Sequence, residues 1–129
     1  MASPEAWVKA AIETATGATA WPLVPPEGLA PPFVIYQRDS TDRPLQTSGL
    51  TGYADGTFSL EIYADGYSAV KVVADAVRVA LHNFSGTANG ATIDIAHLTD
   101  ERDGSPVFLD GRDVPTYLVE QTYFIRWQE

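Results

Sequence analysis

The sequence predicts an α+β fold: an antiparallel four-stranded sheet with two helices packed on it, in the element order α-β-β-α-β-β. Three observations predict it. Residues 57–64 and 117–128 alternate apolar and polar side chains at period two, the mark of strands with one buried face. Between them, Val70, Val73, Ala74, Val77, Leu81 and Phe84 recur at intervals of three and four, the spacing of a helix buried along one side. The chain of 129 residues, 45% hydrophobic and 19% charged, has the size and composition of a single globular domain over 1–129.

The first helix starts at Ser3-Pro4-Glu5, where a capping residue, a proline at the first helical position and an acid near the positive helix end fall in order. Trp7, Val8, Ala11, Ile12 and Ala15 form its apolar stripe, and Gly17 ends it. Five prolines between Trp21 and Pro32 predict an extended connector. Phe33 to Tyr36 is a short strand of β-branched and aromatic residues, followed by a long polar loop from Arg38 to Gly52. The second strand runs from Thr57 to Ala64, with Phe58, Leu60, Ile62 and Ala64 inward.

The long helix spans Ser68 to Phe84, with Ser68 as its cap. Val72, Ala76 and Val79 give it a second apolar stripe, which needs either the amino-terminal helix or a partner to cover it. A third strand covers Thr92 to Leu98, with Ile93, Ile95 and Leu98 inward, and Thr99 to Pro115 reads as an exposed acidic hairpin loop. Tyr117 to Gln128 is the longest strand. Its odd positions, Tyr117 to Trp127, face the core, and its even positions, with Leu118 and Phe124, are free to meet a neighbour.

The charge of −9 and the absence of any Lys/Arg stripe argue against nucleic-acid binding. No cysteine is present, so neither a disulfide framework nor a thiolate metal site is possible. The first residues lack a signal-peptide pattern, and no apolar run approaches the ~18 residues of a membrane span.

His82 sits where a charged imidazole would favour a helix end, and His97 has no second histidine at ligand spacing. The run Asp100-Glu101-Arg102-Asp103-Gly104 lacks the ligand spacing of a calcium loop and reads as solvated. No GxSxG, P-loop or GxGxxG pattern occurs, while Trp7 and Trp127 fall on core faces. The residues therefore predict no enzyme, metal or cofactor.

The chain resembles the tail-terminator (tail-completion) proteins of long-tailed, non-contractile phages and of gene transfer agents, of the kind that phage lambda carries. The resemblance rests on the early helix from Pro4, PPFVIYQRDS (Pro31 to Ser40), FSLEIYADGYSAVKVVADAVRVALHNFSG (Phe58 to Gly86), LTDERDG (Leu98 to Gly104) and TYLVEQTYFIRWQE (Thr116 to Glu129). It implies a homo-oligomeric ring, commonly a hexamer. The ring sits at the head-proximal end of the virion tail, contacts the tail-tube protein and the head–tail connector or stopper, and lets DNA pass without binding it. No membrane, cofactor or catalytic residue is implied.

On that resemblance, Arg38, Asp39, Arg43, Leu45, Val72, Ala76, Val79 and Phe124 are the expected subunit or tube contacts. Asp100, Glu101 and Asp103, with Asp110 and Asp113, are the expected bore-lining acids. The same acidity also serves solubility alone. Another neck or stopper protein, a ligand-binding α+β domain and a small enzyme using the acids of 100–113 are the competing readings.

Overall fold

The computed structural model describes residues 3–46, 49–50, 52–109 and 114–129. The elements are α1 (Pro4–Thr16), β1 (Thr19–Pro22), β2 (Phe33–Asp42), β3 (Leu45–Gln46), β4 (Gly49–Leu50), β5 (Tyr53–Ala64), α2 (Tyr67–Leu81), β6 (Gly86–Ala88), β7 (Ala91–Asp103) and β8 (Tyr117–Gln128). Two helices and a sheet make the fold α+β, but the sheet is a curled, mixed one of six strands rather than an antiparallel one of four. Its order is β1-β2-β5-β8-β7-β6, and β3-β4 forms a separate two-stranded arm. The strands missing from the sequence reading have four and three residues, too few to show alternation, and β1 pairs parallel to β2.

Each helix forms where the sequence places it, with small shifts at the ends. Pro4 is at the start of α1, and Gly17 closes it at φ 72, its N–H donating to the Glu13 carbonyl at 3.0 Å. The long helix is capped by Gly66 rather than Ser68 and stops at Leu81. Beyond it, the Asn83 N–H donates to the Ala96 carbonyl and the Ala96 N–H to the Phe84 carbonyl, so the chain already joins the sheet there. His82 helps in this: its Nδ1 accepts the Leu98 N–H at 2.9 Å, a role that a charged imidazolium could not fill.

Both long loops of the sequence reading are partly strand. β2 runs on to Asp42 and the arm comes after it, while β7 runs on to Asp103. Bulges explain why neither extension shows clean alternation. The register slips between Arg38 and Ser40, between Ile93 and Ile95, and between Leu98 and Asp100. Each slip inserts one residue and reverses the phase of the residues beyond it. The slip at Asp94 puts Ile95 opposite Arg126, on the face away from the helices, so Ile95 does not look inward as expected.

The core lies between the helices and one sheet face. Val34, Tyr36, Phe58, Leu60, Ile62, Val119, Tyr123, Ile125 and Trp127 meet Trp7, Val8 and Ile12 of α1 and Val70, Ala74, Val77 and Leu81 of α2. Trp7 packs on Phe84 with ring centroids 4.8 Å apart. Gln121 is buried among them and its amide is engaged on both sides: Gln121 Nε2 donates to the Ala74 carbonyl (3.0 Å) and to Glu101 (2.6 Å), and Gln121 Oε1 accepts the Tyr123 hydroxyl (2.8 Å). That network ties α2 to β8 and β7 at one register, since any slip would orphan buried polar atoms. Burial also drives the Tyr123 hydroxyl's pKa up.

α1 also shields the edge strand β1. Ala20 turns its N–H and carbonyl away from β2; Glu13 accepts the N–H at 3.1 Å, and Lys9 donates to the carbonyl at 2.9 Å. The Ala20 N–H, then the Lys9 ammonium, hold the Glu13 carboxyl below its ordinary pKa.

This packing can be tested at two positions. A Cβ on Gly56 would lie 2.8 Å from Trp127 and 2.9 Å from Phe58. Gly56→Ala should therefore cost about 1–3 kcal/mol in urea unfolding, and an unchanged midpoint would refute this account of the packing. A carboxylate with a depressed pKa contributes stability above its unfolded pKa and loses it as pH falls through the folded one. Glu13→Gln should thus melt below the parent at pH 7, with the gap closing as pH drops below about 4; a gap that is constant with pH would contradict the assigned cause.

Candidate assembly surfaces

Among the described residues no group of three or more His, Cys, Asp or Glu could hold a metal ion. No described helix is long and apolar enough to cross a membrane. What the fold offers instead is a set of distinct surfaces.

The first is the outer face of α2. Val72 and Val79 are 69% and 72% exposed, and Ala76 between them is half-buried. α1 packs beside α2 without covering this stripe, because its own apolar side chains go to the core and to Phe84. Of the two covers left open by the sequence, the helix is therefore ruled out within one copy. Lys71 Nζ and the Tyr67 hydroxyl both reach the Asp103 carboxylate, which ties the start of α2 to the end of β7. These two partners hold the Asp103 carboxyl below its ordinary pKa, the ammonium contributing most.

The second surface is the bare face of the sheet. Side chains alternate to this face at Gln37, Ser59, Glu61, Glu120 and Thr122, and the bulges add Asp100 and Arg102. They border a shallow groove. Arg102 bonds Glu120 at 2.9 Å, and Arg126 holds Asp55 through two bonds of 2.6 and 2.9 Å. Asp39 accepts from Gln37 and Ser59. Phe124 is on the same face, half-buried against the His97 ring at 5.4 Å. At one end of the face Tyr63 stacks on buried Phe33, and burial, with Glu61 and Glu120 near, pushes its hydroxyl up to about 12.

The sequence-predicted contact residues thus scatter. Arg38 is not a loop residue: its guanidinium lies 4.7 Å from the Trp127 ring centre and 5.6 Å from that of Phe58, and it pairs with Glu5 of α1. Arg43, at the base of the β3-β4 arm, grips Glu129 through two bonds of 2.7 and 2.9 Å, and the Glu129 N–H donates to Gly52. That pair anchors the arm, on which Leu45 is 75% exposed. The three acids also divide: Asp100 faces the bare side, while Glu101 and Asp103 face the helix side, engaged by Gln121 and by Lys71 with Tyr67. Asp110 and Asp113 lie outside the described residues.

Sequence reasoning missed a third surface, at the end of the sheet where β2 begins. Phe108 is exposed there, beside a groove lined by Pro25, Pro26, Leu29 and Phe33; Leu23, also exposed, leads off β1 further along the sheet edge, where its N–H meets the Tyr36 carbonyl. Leu23 has φ 63, and the Val24 N–H reaches the Pro22 carbonyl at 2.7 Å across it. This is a γ-turn of the strained, positive-φ kind, which a bulky apolar residue rarely adopts. The prolines predict an extended connector, and their pattern does not mark a turn that presents Leu23 to solvent.

No protein-family model matches the chain, and no curated protein matches it significantly. The fold does recur among solved structures. A chain from the virion of a native gene transfer agent particle superposes with a TM-score of 0.64 at 17% identity, over 95% of this chain and 84% of its own length. A second solved chain matches over 95% of this chain and 89% of its own, with a TM-score of 0.51 at 13% identity. At these identities the likeness is one of fold.

Proposed function

We propose that the protein is a structural subunit of a virion tail, of a gene transfer agent or a long-tailed phage, and that it acts there as the tail terminator. In this role a ring of copies caps the head-proximal end of the tail tube, stops its polymerisation and receives the connector. The observation that carries the reading is the likeness of fold, along 95% of the chain, to a chain of a gene transfer agent virion. The sequence resemblance, drawn from local motifs, points the same way.

The surfaces support an assembling role rather than a catalytic one. Exposed apolar side chains occur at several separate places, among them α2, the β3-β4 arm, the turn at Leu23 and the groove beside Phe108. A subunit that meets a neighbour on each flank and a different protein at each axial end needs several such places. The bare sheet face carries Asp39, Asp55, Glu61, Asp100 and Glu120 against Arg102 and Arg126. In a ring, a face of this charge turned to the bore would give a genome little to hold, since retention needs cationic phosphate contacts. Asp100 belongs to that face.

The test is assembly. Particles made without the protein should carry tubes of uncontrolled length or tails that fail to join heads, as seen by electron microscopy. Uniform, unjoined tails would instead assign it to another head–tail joining step, and normal particles would refute both roles. Val72→Asp with Val79→Asp should keep the melting temperature within a few degrees, because both side chains are solvent-exposed, while abolishing rings. Undiminished assembly by that variant would remove the α2 face from the interface.

A further inference from the structure

We infer that neighbouring copies join by β-sheet pairing, the free half of the β2 edge on one copy receiving the free end of β7 from the next. The inference deepens the proposed ring and rests on it for closure.

Backbone direction can be traced along both edge regions. On β2, the Tyr36 carbonyl accepts the Leu23 N–H at 3.0 Å, so Tyr36 turns its backbone groups away from β5. Alternation turns Arg38 the same way, and past the extra residue at the bulge the next to turn outward is Thr41. On β7, the Ala96 N–H and carbonyl bond outward to Phe84 and Asn83, and the Leu98 N–H bonds outward to His82. The Gly104 N–H bonds inward to Leu118. Counting back from Gly104 by alternation turns Asp103 and Glu101 outward. The outward backbone groups of Arg38, Thr41, Glu101 and Asp103 meet no backbone partner among the described residues.

The two edges are half-occupied in complementary ways. β1 covers β2 only at Phe33–Tyr36, because the γ-turn at Leu23 peels the chain away. Residues 82–88 cover β7 only at its start, up to Leu98. The upper end of one β7 therefore fits the slot below β1 on the next copy, antiparallel to β2. In that register Asp103 opposes Arg38 and Glu101 opposes Thr41, and the spacing agrees because the bulge at Asp39 adds one residue to the β2 side. Charge agrees as well: Arg38 meets Asp103, and Asp39 comes beside Arg102. The bulges and charges that mark both edges guard them against indiscriminate pairing.

The stagger has a geometric consequence. The row of Arg38 crosses the sheet to Leu98, whereas Asp103 shares the row of Val34. Each copy would be offset by about four residues, or ~13 Å at ~3.3 Å per residue. Over the four strands β2, β5, β8 and β7, at ~4.8 Å each, that offset is a strand tilt of roughly 35°, at the lower end of the range in which sheets close into barrels. Because Lys71 and Tyr67 hold Asp103, the α2 stripe lies on the same flank and joins the same contact.

The chain has no cysteine, which allows a clean cross-linking test. Thr41 and Glu101 sit on opposite flanks of one copy, so Thr41→Cys with Glu101→Cys can bond only between copies. Oxidising assembled rings of the double variant should convert the monomer band on a denaturing gel into a ladder ending at the ring's copy number. In the unsubstituted protein, the amides of Arg38, Thr41, Glu101 and Asp103 should exchange at least tenfold more slowly in rings than in monomers. Rings that stay uncross-linked, with those four amides unprotected, would overturn the sheet junction and leave the tail-terminator reading standing. If no ring forms under any condition, including on tail tubes, both fall.

Discussion

The structure depends on the space that Gly56 leaves for Trp127. In the middle of the sheet a side chain at position 56 would collide with the indole, so the strand keeps a glycine there despite its conformational cost. The indole in turn meets Phe58 edge-on at a centroid distance of 6.1 Å and is roofed by the Arg38 guanidinium. Because Arg38 also pairs with Glu5, this one cluster joins β8, β5, β2 and α1. A cation held against two aromatic faces and a carboxylate is favourable only when all of them are in place. The sheet register and the docking of the first helix are thereby set together.

That arrangement divides the molecule into unlike halves. The helix side of the sheet is apolar and close-packed, crossed by the polar network at Gln121 and edged by the Arg38–Glu5 pair. The bare side is polar and acidic, and its charges are largely paired within the sheet, as in Arg102–Glu120 and Arg126–Asp55. A face with its charges already paired and its outline shallow gives a small ligand little to hold. The exposed apolar residues are displaced to the periphery, onto α2, the arm, the turn at Leu23 and the groove beside Phe108.

The sequence was legible where one period ran unbroken. α1, the inner face of α2 and the odd face of β8 follow their spacing nearly to the residue, and Trp7 and Trp127 are core, but Leu118, expected on an outward face, is buried. It was illegible where two periods met. Asp39, Asp94 and Thr99 each add one residue to a strand, so the alternation cancels in any short window, and 38–42 and 99–103 look like polar loop. β1 and β6 gave too few residues to show a pattern. The exposed stripe on α2 was visible because Val72 and Val79 are surplus to what one sheet face buries. Arg38, by contrast, sat in a polar stretch whose sequence carries no trace of the indole beneath it.

The order of strands in space differs from their order in the chain, and this affects how the protein is born. β8, the final strand in sequence, lies in the interior of the sheet between β5 and β7. Until it has left the ribosome, β5 and β7 lack their common neighbour and the helices have no completed floor to settle on. Such long-range closure is slow, and it leaves apolar strand faces open while it waits. A partly synthesised chain therefore cannot present the β2 and β7 flanks in their finished form. Only a chain with β8 in place holds the β2 and β7 flanks at one common register.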